Sequence, residues 1–553
     1  MALESLAKVA TWPRPNWRDA LAGLSVAGLL IPEAVAYAGI GNMPPQAGVL
    51  ALIVGLLVYG LTGGSRFAIV SATSSSAAVL LAATAPMAGG DVMLRMQLAA
   101  GLVLLTGCLF LLGAAAKVGA VSAFVSKPVL RGFAFGLALV IIIKQLPRLL
   151  GLQAHGADVQ ALLLDVIAHA PQWHLPSLAV GGVALVTMTS LGRFKPLWPA
   201  ALLVMLAGIV AQHAGWLAHS GVATVGAIDL RLEAPHLPGL HREQWLRLGE
   251  VAVAMVLILY AESYGAVRTL AMRHGDTVQP NRELMALGLA NVLSGLLNGM
   301  PVGAGYSASA ANETAGAQSR WAGLLALLVI VIVVLSCLAW LADMPEPVLS
   351  AIVIHAVGHM LRPSVFKPYF TWHRDRLLAL AAVAAVLWLG VLDGLLVSIG
   401  ASLFMTLRGL ADAKVAVLGR LDGGHDFVDM HRLTSATPEQ GMLILRADAP
   451  LFFGNVESLM GQVSRELVRH ADVHTLILSL EESPDLDGTS VEALLELRQA
   501  LAQTSQSLML ARLKSPIYLV LQRAGWPGSG MTMLSVDDAV GIVTAQGDQR
   551  KTL

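Results

Sequence analysis

Long apolar runs without charge fix what this chain can become. From Ala322 to Ala342 no residue is charged, and the run is long enough to cross a bilayer as one helix. Leu98 to Ala116, Val251 to Tyr260 with its flanks, and Leu377 to Leu392 are comparable. Charged residues make up 13% of 553, too few to coat a soluble surface of that size, and the mean hydropathy is +0.69. The chain reads as a polytopic α-helical membrane protein. Its formal net charge of zero gives no basic patch for nucleic acid. Cys108 and Cys337 both lie in apolar runs, which predicts buried free thiols and no disulfide framework. Trp12, Pro13, Pro15 and Trp17 read as an interfacial lead-in to an uncleaved first span.

Hydropathy predicts fourteen spans, near 19–40, 47–62, 70–85, 96–115, 123–147, 176–191, 197–214, 249–269, 283–298, 306–317, 321–342, 347–361, 376–391 and 393–410. Turns on one side carry Arg66, Lys117, Lys127, Arg193, Lys195, Arg268, Arg273, Arg320, Lys367, Arg374, Arg376, Arg408 and Lys414. The other side carries mostly Asp91, Asp158, Asp165, Asp343, Glu346 and Asp393, with a few arginines such as Arg95 and Arg148. The positive-inside rule then puts both termini in the cytoplasm and the chain in the cell's inner (plasma) membrane. Seven spans per half is an odd number, so the halves run in opposite senses as a 7+7 inverted repeat.

Charge returns after Arg408. Residues 1–18 read as a cytoplasmic segment, 19–411 as the transport domain, 412–440 as a linker, 441–545 as a small α/β domain and 546–553 as a tail. In the α/β domain, Leu443–Leu445, Leu476–Leu480 and Leu508–Ala511 are strand candidates. Helices are expected from the cap at Asn455 to about His470, over Val491–Ala502, and from Pro516 onward.

Two polar interruptions occupy matching places in the halves. One contains Ser71, Ala72, Thr73 and Ser74; the other contains Gly305, Tyr306, Ser307, Ala308 and Ser309. Each is too short and too polar for an ordinary span. Small residues can serve close helix packing alone. A matched pair in an inverted repeat instead points to a binding site, because two facing helix starts present amide N–H groups to an anion. Glu33 and Glu262 lie deep in the first and eighth spans, in equivalent positions, which predicts a shared functional cavity. Glu313 reads as an interfacial charge, Lys144 as a snorkelling cation. His355 and His359 have helical i, i+4 spacing but no third ligand, so no metal site is expected, and no cofactor. Asp487-Gly488-Thr489-Ser490 caps a helix, with phosphorylation of Thr489 or Ser490 a weaker regulatory reading.

These residues resemble a family. Gly28–Ala38 with Met43-Pro44-Pro45, Gly64-Ser65-Arg66, the stretch Asn281–Asn291, Ala449–Asn455 and Asp487–Ser490 are similar to motifs of SulP-type anion transporters, solute carrier family twenty-six in animals. The resemblance implies a core domain that moves against a gate domain, anion bound between segments three and ten, a homodimer, and a cytoplasmic STAS domain. The family's substrates include sulfate, bicarbonate, chloride and dicarboxylates. Many members carry Gln at the place of Glu33, Arg at the place of Ala308 and Gly-Pro at the place of Ser71-Ala72. The site here therefore lacks a fixed cation and gains a carboxylate, which argues against a multiply charged anion.

The expected function is secondary transport of a small inorganic anion, sulfate- or bicarbonate-type, coupled to H+ or Na+ that neutralises a carboxylate. A nucleobase or dicarboxylate carrier of the same architecture is the alternative. A membrane-anchored signalling scaffold ranks third. No enzyme chemistry is visible in the motifs.

Overall fold

The computed structural model describes residues 15–119, 126–152, 159–194, 200–217, 220–226, 234–373, 375–470 and 472–551. Trp12, Pro13, Asp158, Lys195, Arg374 and the side chains of Cys337 and His359 lie outside the described residues. Two compact units divide between Ser402 and Leu403.

The first unit is helical. In order it holds α1 (Trp17–Ile40), α2 (Pro45–Thr62), β1 (Val70–Ala72), α3 (Ser74–Ala88), α4 (Val92–Ala115), α5 (Lys127–Leu150), α6 (Val159–Ala168), α7 (Leu175–Phe194) and α8 (Ala200–His213). Then come α9 (Arg242–His274), α10 (Pro280–Leu296), β2 (Val302–Ala304), α11 (Tyr306–Thr314), α12 (Trp321–Leu341), α13 (Glu346–Gly358), the short α14 (Lys367–Thr371), α15 (Arg376–Leu389) and α16 (Val391–Ala411), whose last residues from Leu403 on belong to the second unit. Each of the fourteen expected spans finds a helix; α6 and the short α14 are additions. Among the described residues eight helices are long and apolar enough to cross a membrane.

The third expected span differs from expectation. Hydropathy places it over 70–85, but residues 70–72 are extended and the helix begins at Ser74. Cys108, expected to be buried, is exposed on α4, on a surface that lipid would cover.

Helices approach closely where glycine faces a neighbouring backbone. A Cβ on Gly107 of α4 would lie 2.5 Å from Val292 N of α10, and one on Gly295 of α10 would lie 2.8 Å from Leu104 N of α4. A Cβ on Gly132 of α5 would lie 2.3 Å from Ala379 O of α15. Such small-residue faces drive helix association where lipid removes the hydrophobic force. Buried Asp19 ties α1 to the turn before α12. Its carboxylate accepts from Gln318 N at 2.8 Å, Ser319 N at 3.0 Å and the Ser319 hydroxyl at 2.7 Å.

The second unit is an α/β sandwich. It adds β3 (Val415–Leu421), β4 (Phe427–Asp429), β5 (Ala436–Thr437), β6 (Met442–Ala447), α17 (Val456–Arg469), β7 (Thr475–Ser479), α18 (Gly488–Gln503), β8 (Ser507–Ala511), α19 (Ser515–Arg523) and α20 (Val536–Lys551). The sheet runs β4-β3-β6-β7-β8, with β5 also paired to β3. β6, β7 and β8 are parallel, as α17 and α18 crossovers require. Alternation sends Leu443 and Leu445 to one face, under α17, α18 and α19, and Ile444 to the other, under α20.

The stretch 412–440, expected as a linker, supplies β3, β4 and β5 to this sheet. Residues 546–551 of the expected tail continue α20. Asn455 stands at the N-cap of α17, but its amide serves the preceding loop. It accepts from Phe452 N at 3.0 Å and donates to Leu410 O at 3.1 Å and Pro450 O at 2.9 Å.

Candidate anion-binding site

β1 and β2 pair antiparallel in the middle of the first unit, with Val70 opposite Ala304 and Ala72 opposite Val302. The opposite senses of the two halves make the pairing antiparallel. Non-helical backbone at membrane depth has no water to bond, so each interruption serves as the other's hydrogen-bond partner.

Side chains satisfy the rest of this ribbon. Asn291, fully buried on α10, donates to Val302 O at 2.9 Å and accepts from Val302 N at 3.0 Å. The Ser263 hydroxyl accepts from Ala304 N at 2.8 Å, and Ser309 Oγ accepts from Ile69 N at 3.1 Å. Ser294 Oγ donates to Met300 O at 2.7 Å, and Asn312 Nδ2 donates to Phe67 O at 3.0 Å. The loop into β1 is held by buried Glu283, which accepts from Tyr59 OH at 2.7 Å and Gly64 N at 3.0 Å. Sequence reasoning missed Asn291, Ser263 and Glu283 as holders of the site. Their signal was present: a lone polar side chain inside an apolar helix must find a partner.

An Asn291→Ala variant leaves the Val302 N–H and C=O unpaired, at about 1–3 kcal/mol for each buried orphan. The expected result is a lower unfolding temperature of the purified protein together with loss of uptake. An unchanged melting curve would contradict this account of the ribbon.

α3 and α11 start where the strands end. Thr73 caps α3, its hydroxyl accepting from Ser76 N at 3.2 Å while its own N–H donates to Ser76 Oγ at 3.2 Å. Gly305 is the N-cap of α11. The two caps adjoin: a Cβ on Gly305 would lie 3.9 Å from Thr73 Cγ2, and one on Gly303 would lie 3.8 Å from it. Two helix starts therefore meet at one place, each with first-turn amides that no helix bond uses.

The nominated residues divide by what they do there. Thr73 and Ser74 lie at the start of α3; Ser71 and Ala72 are strand residues, buried, with Ser71 Oγ bonded to Ala72 O at 3.2 Å. Ser307 is exposed in the first turn of α11, and Ala308 and Ser309 are buried. Ser309 is committed to the β1 backbone. Tyr306 is exposed, and its hydroxyl meets Arg273 Nη2 at 3.1 Å. Glu313 also bonds outside the cradle, to Arg273 at 3.3 Å and His274 at 2.8 Å.

Glu262, on α9, accepts from Ser75 Oγ at 2.5 Å, and Ser75 Oγ lies 3.0 Å from Thr73 Oγ1. A carboxylate is thus wired to the capping hydroxyls of α3. Glu33 is buried on α1, one turn before Tyr37, which is also buried. Among the described residues no cluster of three or more His, Cys, Asp or Glu could hold a metal.

In the second unit Asp487 caps α18. Its carboxylate accepts from Ser490 N at 2.9 Å and Phe453 N at 2.7 Å. Bonding from Ser490, foremost, holds the Asp487 carboxyl below the usual carboxylate range. Thr489 is exposed and Ser490 is buried.

Known proteins share this architecture. The family model described as the sulfate permease family matches residues 17–428, and that of the STAS domain matches 435–539. A probable sulfate transporter of Mycobacterium tuberculosis is 32% identical over 508 residues, covering 92% of this chain and 91% of the relative. Human solute carrier family 26 member 6 is 29% identical, over 81% of this chain and 62% of the relative. The structure of the murine solute carrier 26 family member A9 anion transporter, in its inward-facing state, superposes with TM-score 0.89 at 20% identity, over 98% of this chain and 94% of that one. The transmembrane domain of the cyanobacterial bicarbonate transporter BicA gives TM-score 0.61 at 20% identity, over 70% and 96%.

Proposed function

This chain belongs to the sulfate permease family, and from that premise we propose that it carries a small inorganic anion across the membrane, held where the first turns of α3 and α11 meet. The observation that carries the reading is the closeness of the two N-caps, Thr73 beside Gly305, next to the β1–β2 ribbon. Ser74 and Ser307 would offer hydroxyls and amide N–H groups to the anion, with Thr73 fixing the α3 start as its cap; Ala308 adds no charge. Without a cationic side chain in the cradle, the peptide dipoles supply the attraction, which suits a monoanion such as bicarbonate better than sulfate.

Glu262 touches the same helix start through Ser75, and its charge opposes the anion's. The proposal therefore couples anion binding to one H+ or Na+ at Glu262, with Glu33 as the second acid. Transport would proceed by an elevator-like movement of the group carrying β1, β2, α3 and α11 against the group of α5, α7, α13 and α15. The remaining parts of the reading are a plasma-membrane homodimer in lipid, cytoplasmic termini, and a regulatory turn at Thr489 rather than at buried Ser490. The transport domain would cover 19–411 and the STAS domain would centre on 441–545.

The test is uptake by proteoliposomes of bicarbonate, sulfate, chloride, a dicarboxylate and uracil, with and without H+ or Na+ gradients. Saturable bicarbonate uptake driven by a cation gradient supports the reading. Uptake of uracil alone would replace it with the nucleobase alternative.

A further inference from the structure

Lys144, read above as a snorkelling cation, is exposed and lines a cavity of about 410 Å3. α5 contributes Lys144, Gln145 and Arg148, α1 ends on it at Gly39, Asn42 follows, and α3 contributes Ala78. Ala78 lies one turn beyond Ser74, about 6 Å further along the helix axis. The cavity thus begins next to the proposed anion cradle. At roughly 30 Å3 of liquid per water, it holds on the order of a dozen waters. It is therefore wide enough for a hydrated ion.

Its chemistry is one-sided. Among the described residues no Asp or Glu lines it, and neither Lys144 nor Arg148 has an ion-pair partner. The two cations stand four residues apart on one helix face, an arrangement in which like charges repel. Arg148 lies in the last turn of α5, where the helix dipole favours a cation. Lys144 lies well before that turn and gains little from the dipole. The Arg148 guanidinium packs over the α1 backbone, with Nη1 3.1 Å from where a Cβ on Gly39 would stand. Gln145 is 4% exposed and lines the same cavity.

We propose that this cavity is a second anion site, a vestibule in which Lys144, Arg148 and the Gln145 amide gather a small inorganic anion before it reaches the helix starts. The site rests on the transport reading only for its role in flux; its capacity to bind an anion is independent of it. An anion between Lys144 and Arg148 relieves their repulsion and gives Gln145 a hydrogen-bond acceptor. Low-dielectric walls with charge of one sign concentrate counter-ions, by about 10-fold or more. On the charge assignment given above, the vestibule opens toward the side away from the cytoplasm, because α1 and α5 both end there.

Two measurements on the full chain test this. Crystals soaked in bromide should show an anomalous peak beside Lys144 and Arg148, absent from the Lys144→Gln/Arg148→Gln variant. In proteoliposomes the same double variant should raise the KM for bicarbonate about 5- to 10-fold, with Vmax within about twofold of the parent. Lys144→Arg and Arg148→Lys should each keep the parental KM, which a purely structural role for either residue would not require. The parental protein without a bromide peak would overturn the proposal. So would a peak combined with an unchanged KM in the double variant, which would mark an adventitious ion only. If the parent binds bromide in the vestibule yet carries no anion, the transport reading falls and the site stands.

Discussion

Gly55→Val should abolish anion uptake while leaving the protein in the membrane. Gly55 lies on α2 where that helix presses against β1. A Cβ there would sit 2.4 Å from Val70 O, 3.0 Å from Val70 C and 3.3 Å from Val70 Cγ1. The obstacle is backbone, which cannot swing aside as a side chain would. Overpacking of this kind costs about 1–3 kcal/mol. The larger effect is on geometry. Val70 opens the strand whose far end, Ala72, leads into the Thr73 cap, so a displaced β1 carries the first turn of α3 with it. Where function needs preset geometry, a misplacement of about 1 Å costs on the order of 100-fold. Gly182→Ala is the control: it is also helical, and a Cβ there would meet nothing within 4 Å. Uptake and melting temperature should match the parent in Gly182→Ala. In Gly55→Val, uptake should fall at least 100-fold with only a modest drop in melting temperature. Parental uptake by Gly55→Val would separate the ribbon from transport.

Glu262→Gln should uncouple transport from its driving cation. The amide keeps the size of the side chain and can still accept from Ser75 Oγ, which now stands 2.5 Å from the carboxylate. The negative charge beside the α3 start is removed. A cation is then no longer needed to offset repulsion between acid and anion. The expected result is loss of gradient-driven accumulation, by at least tenfold, while exchange of anion for anion at equal concentrations persists. Glu262→Asp should retain gradient dependence, since it retains the charge. Parental uptake that ignores the gradient, and that survives Glu262→Gln, would end the coupling idea and leave simple exchange.

The fourteen helices were legible because a bilayer demands about twenty apolar residues per crossing, and that demand is written in composition. The inverted repeat followed from an odd count of spans and the side on which lysine and arginine fall. The place of the site was legible from Ser71–Ser74 and Gly305–Ser309, where small polar residues break the apolar pattern twice. The ribbon between them was not. A strand of three residues, Val70–Ala72 or Val302–Ala304, is too short to show a period of two. Its existence depends on a partner more than 200 positions away. The same reason hid β3 in what looked like a linker: Val415–Leu421 acquires meaning only beside Met442–Ala447. That Lys144 shares a cavity with Gln145 and Arg148 was not legible either, because only the fold brings α1, α3 and α5 together around it.

The cross-half pairing of β1 with β2 also sets an order of events during biosynthesis. When Val70–Ala72 first enters the bilayer, its complement has not yet been synthesised, and Val302–Ala304 arrives some two hundred residues later. Until then the nascent first half carries exposed peptide groups in hydrocarbon, a state that lipid tolerates poorly. Completion of the core must therefore wait for the ribosome to pass residue 304, and an early stop before that point should leave an insertion intermediate for the cell's quality control rather than half a carrier.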